Sequence, residues 1–188
     1  MSNTARQRGA TLIEVLITLV IVAFGLLGMA GLQVRMQSTE MESYQRSQAL
    51  LLLNEMATHI ATNRANAAAY VTGTSSPLGT GFDCSGMAST SIAQADLKAW
   101  CNALQGSSET TGTGASALRQ GAMIDARGCV QLSADGDYLV TVVWQGLAPI
   151  VAPPTSLACG ASQYDGGSCT GDLCRRAATT VVRIANLI

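Results

Sequence analysis

The chain has 188 residues, 48% of them hydrophobic but only 4% aromatic, with a formal net charge of −1. That is one domain's worth once a long helix is set aside, and its core must be built from aliphatic and small side chains. A single lysine, Lys98, gives no basic footprint for nucleic acid, and a single histidine, His59, is a poor start for catalysis, so neither a nucleic-acid partner nor an enzymatic role is expected.

The first element is a polar leader, residues 1–9. Arg6 and Arg8 precede Gly9, and an apolar run from Ala10 to Leu32 follows at once. In an ordinary secretory signal the apolar core precedes the cleavage site and is discarded. Here a cut between Gly9 and Ala10 discards only the leader and keeps the apolar helix. Residues 10–32 are long enough for a bilayer, which needs about 20 residues. Glu14 is the only charge in that run. The basic leader predicts insertion with the amino end on the cytoplasmic side, which places the rest of the chain in the periplasm.

Residues 33–71 continue as a helical stalk. No proline occurs before Pro77, and the stretch is rich in good helix formers. Ala49, Leu53, Met56 and Ile60 recur at helical spacing. Leu50 to Leu53 is apolar all round, which predicts contacts on more than one side, and Met41, Tyr44 and Met56 read as packing residues. A helix from Ala10 to about Tyr70 would be roughly 90 Å long at ~1.5 Å per residue, too long to fit inside one small domain. Gly25, Gly28 and Gly31 interrupt its first half. They permit two readings: close helix packing in a membrane, or local unwinding when the helix leaves lipid.

Residues 72–188 form the head. Thr72 to Asp83 reads as a linker containing Pro77. Ser91-Ile92-Ala93-Gln94 reads as a capping box that opens a helix to about Leu104. Its apolar face is Leu97, Trp100, Cys101 and Leu104. Gly106 to Gly114 is a polar loop. Cys129 to Leu132, a turn through Asp135-Gly136 and Tyr138 to Gln145 read as a β-hairpin. Tyr138, Val140, Val142 and Trp144 share one face of its second strand. Gly146 to Gly171 is irregular, and a last strand runs from about Ala178 to Asn186. The expected fold class is therefore α+β: a long amino-terminal helix packed on an antiparallel sheet.

Cys84, Cys101, Cys129, Cys159, Cys169 and Cys174 all lie beyond the apolar helix. An even count in the region expected outside the cytoplasm predicts disulfides. Pairing by proximity along the chain joins Cys84 to Cys101, Cys129 to Cys159 and Cys169 to Cys174. No cofactor is expected. A zinc site would need ligands near Cys169 and Cys174, and His59 is remote in sequence. Asp135 and Asp137 sit in a turn, read as solvated, with too few ligands for calcium.

Gly9, Ala10, Thr11-Leu12-Ile13-Glu14-Val15 and the apolar run to Leu32 resemble the type IV pilin family. The resemblance implies cleavage after Gly9 by a prepilin peptidase, methylation of the Ala10 amine and a role for Glu14 in assembly. Major pilins commonly carry a helix-breaking proline in this part of the stalk, and this chain has none. Phe24 to Gln33, Tyr138 to Gly146, and Arg175-Arg176 leading to Ile184 resemble a minor-pilin subgroup more than a major pilin. The implied partners are the prepilin peptidase, the major pilin, other minor pilins and the inner membrane. The implied location is the inner membrane, then the pilus fibre or tip.

Two other readings remain open. A minor pseudopilin of a type II secretion system shares every motif in the first 32 residues, although small pseudopilins usually have shorter soluble regions. A membrane-anchored periplasmic domain that never polymerises would make Gly9 and Glu14 coincidences.

Overall fold

The computed structural model describes residues 11–107, 110–111, 118–119 and 123–184. The chain divides into two compact units, Met1–Met41 and Glu42–Ile188. Helix α1, Leu12–Thr62, contributes to both. In the first unit every residue from 11 to 41 is exposed.

The second unit is built on the rest of α1. Gln45, Ala49, Leu53, Met56 and Ile60 form its buried stripe, at the three-to-four-residue spacing of one helix face. Leu50 and Leu51 are exposed, as are Met41 and Tyr44. The contacts expected around Leu50–Leu53 are therefore confined to one side of the helix. Of the three residues read as packing residues, only Met56 is buried.

Sequence alone carried the helix to about Tyr70. The α-helix instead ends at Thr62, and a 3-10 helix follows over Arg64–Tyr70. Two asparagines account for the change. Asn63 leaves helical geometry at φ −104°, ψ 41°, and Asn66 departs again at φ −117°, ψ 22°. Their side chains offer local alternatives to the helical ladder: Asn66 Nδ2 donates to Asn63 Oδ1 at 2.9 Å, and Asn63 Nδ2 donates to the Tyr70 hydroxyl at 3.2 Å.

Strand β1, Leu78–Gly79, lies inside the stretch read as a linker. Helix α2, Ile92–Leu104, opens on the predicted capping box: Gln94 N–H donates to Ser91 Oγ, and Gln94 Oε1 accepts from Ser91 N–H. Leu97, Trp100, Cys101 and Leu104 are all buried. Trp100 Nε1–H donates to the Leu52 carbonyl at 2.9 Å and so fixes α2 to α1. The stretch read as a polar loop contains β2, Thr110–Thr111, paired with β3, Leu118–Arg119.

Strands β4, Arg127–Leu132, and β5, Tyr138–Gln145, form the predicted hairpin. Its turn closes with Ser133 N–H to Asp137 C=O at 2.8 Å, and Gly136 takes a φ of +82°, which glycine adopts without strain. Asp137 is not simply solvated, because Arg183 Nε lies 2.9 Å from its carboxylate. Strand β6 runs over Arg175–Val182, three residues earlier than expected; Asn186 lies outside the described residues. Arg175 begins the strand although it is only 2% exposed. Its charge is satisfied inside: Nη1 donates to the carbonyls of Leu157 and Cys159, and Nη2 pairs with Asp172 at 3.1 Å.

The sheet has the order β1-β4-β5-β6 and is antiparallel throughout. Tyr138, Val140, Val142 and Trp144 share the main core with Ala49, Leu53, Met56 and Ile60 of α1. On the other face Cys129 and Val143 pack with Cys159 and Tyr164 in a second, smaller core. The fold is thus α+β, a long amino-terminal helix packed against a four-stranded antiparallel sheet.

Candidate functional site

The amino-terminal end of α1 is the strongest candidate. Gly9 and Ala10 lie outside the described residues. From Thr11 onward the helix forms at once: the Thr11 carbonyl accepts from Glu14 N–H at 3.0 Å and from Val15 N–H at 3.3 Å. Glu14 lies in the first turn, where the unpaired amides of a helix start favour a negative charge.

The apolar surface behind Glu14 is continuous. Leu12, Ile13, Leu16, Ile17, Leu19, Ile21, Phe24, Leu26 and Leu27 are each more than half exposed. By length and composition this helix can cross a membrane. At about 100° per residue, Thr18, Ile21, Gly25, Gly28 and Leu32 lie near the Glu14 face, whereas Gly31 lies well to one side. A Cβ at any of these three glycines would meet nothing within 4 Å. Within the isolated subunit, then, no neighbouring atom requires them to be glycine.

The six cysteines form three bonded pairs. Cys84–Cys101 ties the segment before α2 to the helix itself, with Cα atoms 5.7 Å apart. Cys129–Cys159 ties β4 to the irregular segment, at 5.9 Å. Cys169–Cys174 closes a short loop before β6, at 5.4 Å. No group of three or more metal-ligating side chains converges among the described residues.

One polar cluster was not legible in the sequence. His59 Nδ1 lies 3.3 Å from Asp96 Oδ2, and Tyr70 OH donates to the same oxygen at 2.5 Å. Burial raises the Tyr70 pKa above its ordinary value, and the hydrogen bond to Asp96 raises it further. The cluster joins α1, the 3-10 helix and α2. His59 and Asp96 are far apart in sequence, so no local pattern announced their contact. Glu55 lies on the opposite edge of the imidazole, 3.8 Å from Nε2. The two carboxylates flank the ring rather than converge on one point, which suits a structural tie better than a catalytic or metal site.

A second unanticipated tie involves Glu42, the first residue of its unit. Its Oε1 accepts from Arg176 Nη2 at 3.2 Å and from Leu147 N–H at 3.3 Å. It thereby fixes α1 to β6 and to the loop after β5.

Residues 4–30 match the prokaryotic N-terminal methylation motif. The match covers only the amino-terminal segment and supports a type IV pilin-like or pseudopilin-like protein. Such a motif implies processing by a prepilin peptidase and partners of the pilin kind in general. Together with the fold it suggests a structural, non-enzymatic role. No curated protein and no solved structure matches the chain.

Proposed function

We propose that this chain is a minor pilin of a type IV pilus, cut after Gly9, methylated on the Ala10 amine and assembled through Glu14 into an initiation or tip complex. Its role is then in pilus-dependent motility or adhesion. One observation carries the reading. The methylation motif leads directly into a helix that is apolar and exposed on every side, with one carboxylate near its start. An apolar surface of this extent is not left in water. It calls for lipid, for other helices, or for each in turn. A pilin meets both, first in the inner membrane and then in the fibre.

The basic leader residues Arg6 and Arg8 support an N-in orientation, with the head in the periplasm. The disulfides suit that oxidising compartment. Within the minor pilins, Phe24 to Gln33, Tyr138 to Gly146 and Arg175 to Ile184 favour a subunit similar to PilV, the pilus modification protein. The second and third of these stretches contain β5 and β6.

The test is to recover the full-length chain from membranes and from sheared pili and to identify what comes with it. Recovery with the major pilin and other minor pilins, in both fractions, is expected. Recovery with type II secretion components would make it a pseudopilin. Recovery with neither would leave an anchored domain and overturn the reading.

A further inference from the structure

The longest uncharged stretch of the head lies between Asp137 and Asp165. Its first part is β5, buried in the sheet; its second part leaves the sheet after Gln145. There Leu147, Ala148, Pro149, Ile150 and Val151 are exposed one after another. Val151 is 84% exposed, as bare as Leu12 at the start of α1. Ile124, also exposed, joins the same end of the sheet through its carbonyl, which accepts from Gln145 N–H at 2.8 Å. Apolar side chains scattered singly over a surface are ordinary, but a contiguous group of them marks a contact.

Three hydrogen bonds hold this loop in place. Leu147 N–H donates to Glu42 Oε1 at 3.3 Å, Arg176 Nη2 donates to the Ala148 carbonyl at 2.8 Å, and Ile150 N–H donates to the Leu173 carbonyl at 2.9 Å. Pro149, Pro153 and Pro154 stiffen the chain and carry no N–H to leave unpaired. Glu42 also sets where the loop sits along the chain. Gln145 and Arg175, the neighbouring ends of β5 and β6, pair at this end of the sheet, and Arg176 reaches the same carboxylate. Glu42 follows Leu32, the last residue of the apolar run, by ten residues. That is ~15 Å of helix. A headgroup layer takes up about 5–8 Å of that distance. Residues 147 to 150 can bridge about 10 Å, enough for the remainder.

We propose that residues 147–151 rest on the surface of the bilayer that α1 spans, with Ile150 and Val151 inserted among the lipid headgroups. The occupant follows from the chain itself. The apolar run is long enough to cross a membrane, and one helix carries it into the head, so a bilayer is held within reach of this loop as a tethered ligand is. No protein is held there by the chain. The loop also lacks what a protein interface uses. Residues 146–163 contain no Trp, Tyr, Phe or Arg and no charge to pair. Leu, Ile and Val enter lipid favourably without a shaped partner. The contact seats the head against the membrane, and the subunit gives it up when α1 leaves lipid. The inference rests on α1 spanning a bilayer, and not on what the chain later joins.

The experiment reconstitutes the full-length chain into vesicles of phosphatidylethanolamine and phosphatidylglycerol, with a solvatochromic amino acid in place of Val151. Nitroxide lipids, labelled at the headgroup or in the acyl chain, are the quenchers. Separate chains carry the probe at Leu27, inside the apolar run, and at Leu132, exposed at the opposite end of the β4–β5 hairpin. At Val151 the expected result is blue-shifted emission and about threefold quenching by the headgroup label, at every protein-to-lipid ratio, with none at Leu132. With the probe moved to Leu147, Ile150→Ser together with Val151→Ser should cut the quenching about threefold, because their apolar area drives the insertion. Both side chains are exposed, and circular dichroism verifies that the fold is kept. Quenching at Leu27 but not at Val151 would overturn this inference and spare the membrane helix. No quenching at Leu27 would remove both. A blue shift at Val151 that grows with protein-to-lipid ratio and is not quenched would identify a second copy as the occupant and overturn the proposal. Equal quenching at Leu132, or undiminished quenching in the folded double variant, would overturn it as well.

Discussion

The indole of Trp100 occupies the space that a side chain on Gly128 would need. Trp100 is fully buried, and its Nε1–H is bonded to the Leu52 carbonyl, so the ring cannot turn away without losing a buried hydrogen bond. One ring thereby joins α1, α2 and β4. Leu104 presses on the same spot.

Gly128→Ala is therefore expected to cost about 1–3 kcal/mol, as overpacking of a filled core does. Gly128 does not have a positive φ, so the loss comes from space alone. Urea unfolding of the full-length chain in detergent measures it. A change near zero would mean that α2 shifts freely over the sheet.

Tyr164 ties the second core. Its hydroxyl donates to the Asp125 carbonyl at 2.9 Å, and the Arg127 guanidinium lies 5.1 Å from its ring centre. Burial pushes its pKa from 10.0 up to about 12, against the opposing pull of Arg127. A pKa raised in the folded state means stability that is intact below about pH 10 and lost as pH rises toward 12. At ~1.4 kcal/mol per unit, roughly 2–3 kcal/mol is at stake. Tyr164→Phe should flatten the stability curve in that window. Phenolate absorbance should rise with unfolding rather than before it.

The Tyr70 hydroxyl gives one hydrogen bond, to Asp96, and receives one, from Asn63. Tyr70→Phe keeps the ring in the core and deletes both. A loss of about 1–2 kcal/mol is expected, because the Asp96 carboxylate loses its hydroxyl donor and keeps His59 as its side-chain partner among the described residues. Asn63→Ala in the same denaturation assay deletes the Asn63 bond to Tyr70 together with the one from Asn66, and so sets an upper bound on the Asn63 share.

What was legible in the sequence was local. Ser91 and Gln94 lie three residues apart and cap α2 by themselves. Asp135-Gly136 marks the β4–β5 turn because glycine takes a positive φ there. What was missed depends on distant partners. Two-residue strands such as β1 have no periodicity to read. The last strand, expected from about Ala178, begins at Arg175; carbonyls from the irregular segment and Asp172 make the burial of that arginine tolerable. The extension of α1 to Tyr70 failed on the side chains of Asn63 and Asn66, whose bonds compete with the helix. The methylation motif was legible because a leader, a small residue and an apolar run are contiguous. The His59–Asp96–Tyr70 cluster was not, because its members come from three elements.

The leader should be cut between Gly9 and Ala10. Gly9→Val should leave full-length protein in the membrane, since a bulkier residue replaces the small one at the cut. Mass spectrometry of the mature wild-type chain should find Ala10 first, with a methylated amine. A mature terminus beyond Leu32 would mark an ordinary secretory signal and remove the apolar helix from the working protein.

Glu14 should decide assembly. In lipid a carboxylate costs about 2.5–3.5 kcal/mol on insertion scales. It must neutralise or find a cation. The Ala10 amine of its own chain is one helical turn away in sequence, but the amine of a neighbouring subunit offers a second partner. An intermolecular pair sets axial register, because only one stagger brings amine and carboxylate together, and the attraction is strongest where water is excluded. Removing one member leaves the other charge buried and unpaired, the costly outcome for such pairs. Glu14→Ala should therefore give a folded, cleaved membrane protein that is absent from the sheared pilus fraction. Its head should unfold at the same denaturant concentration as wild type, because Glu14 belongs to the first unit and is not a member of the head's core. Incorporation of Glu14→Ala at the wild-type level would show that the carboxylate is not used in docking, and assembly would then rest on the apolar surface of α1 alone.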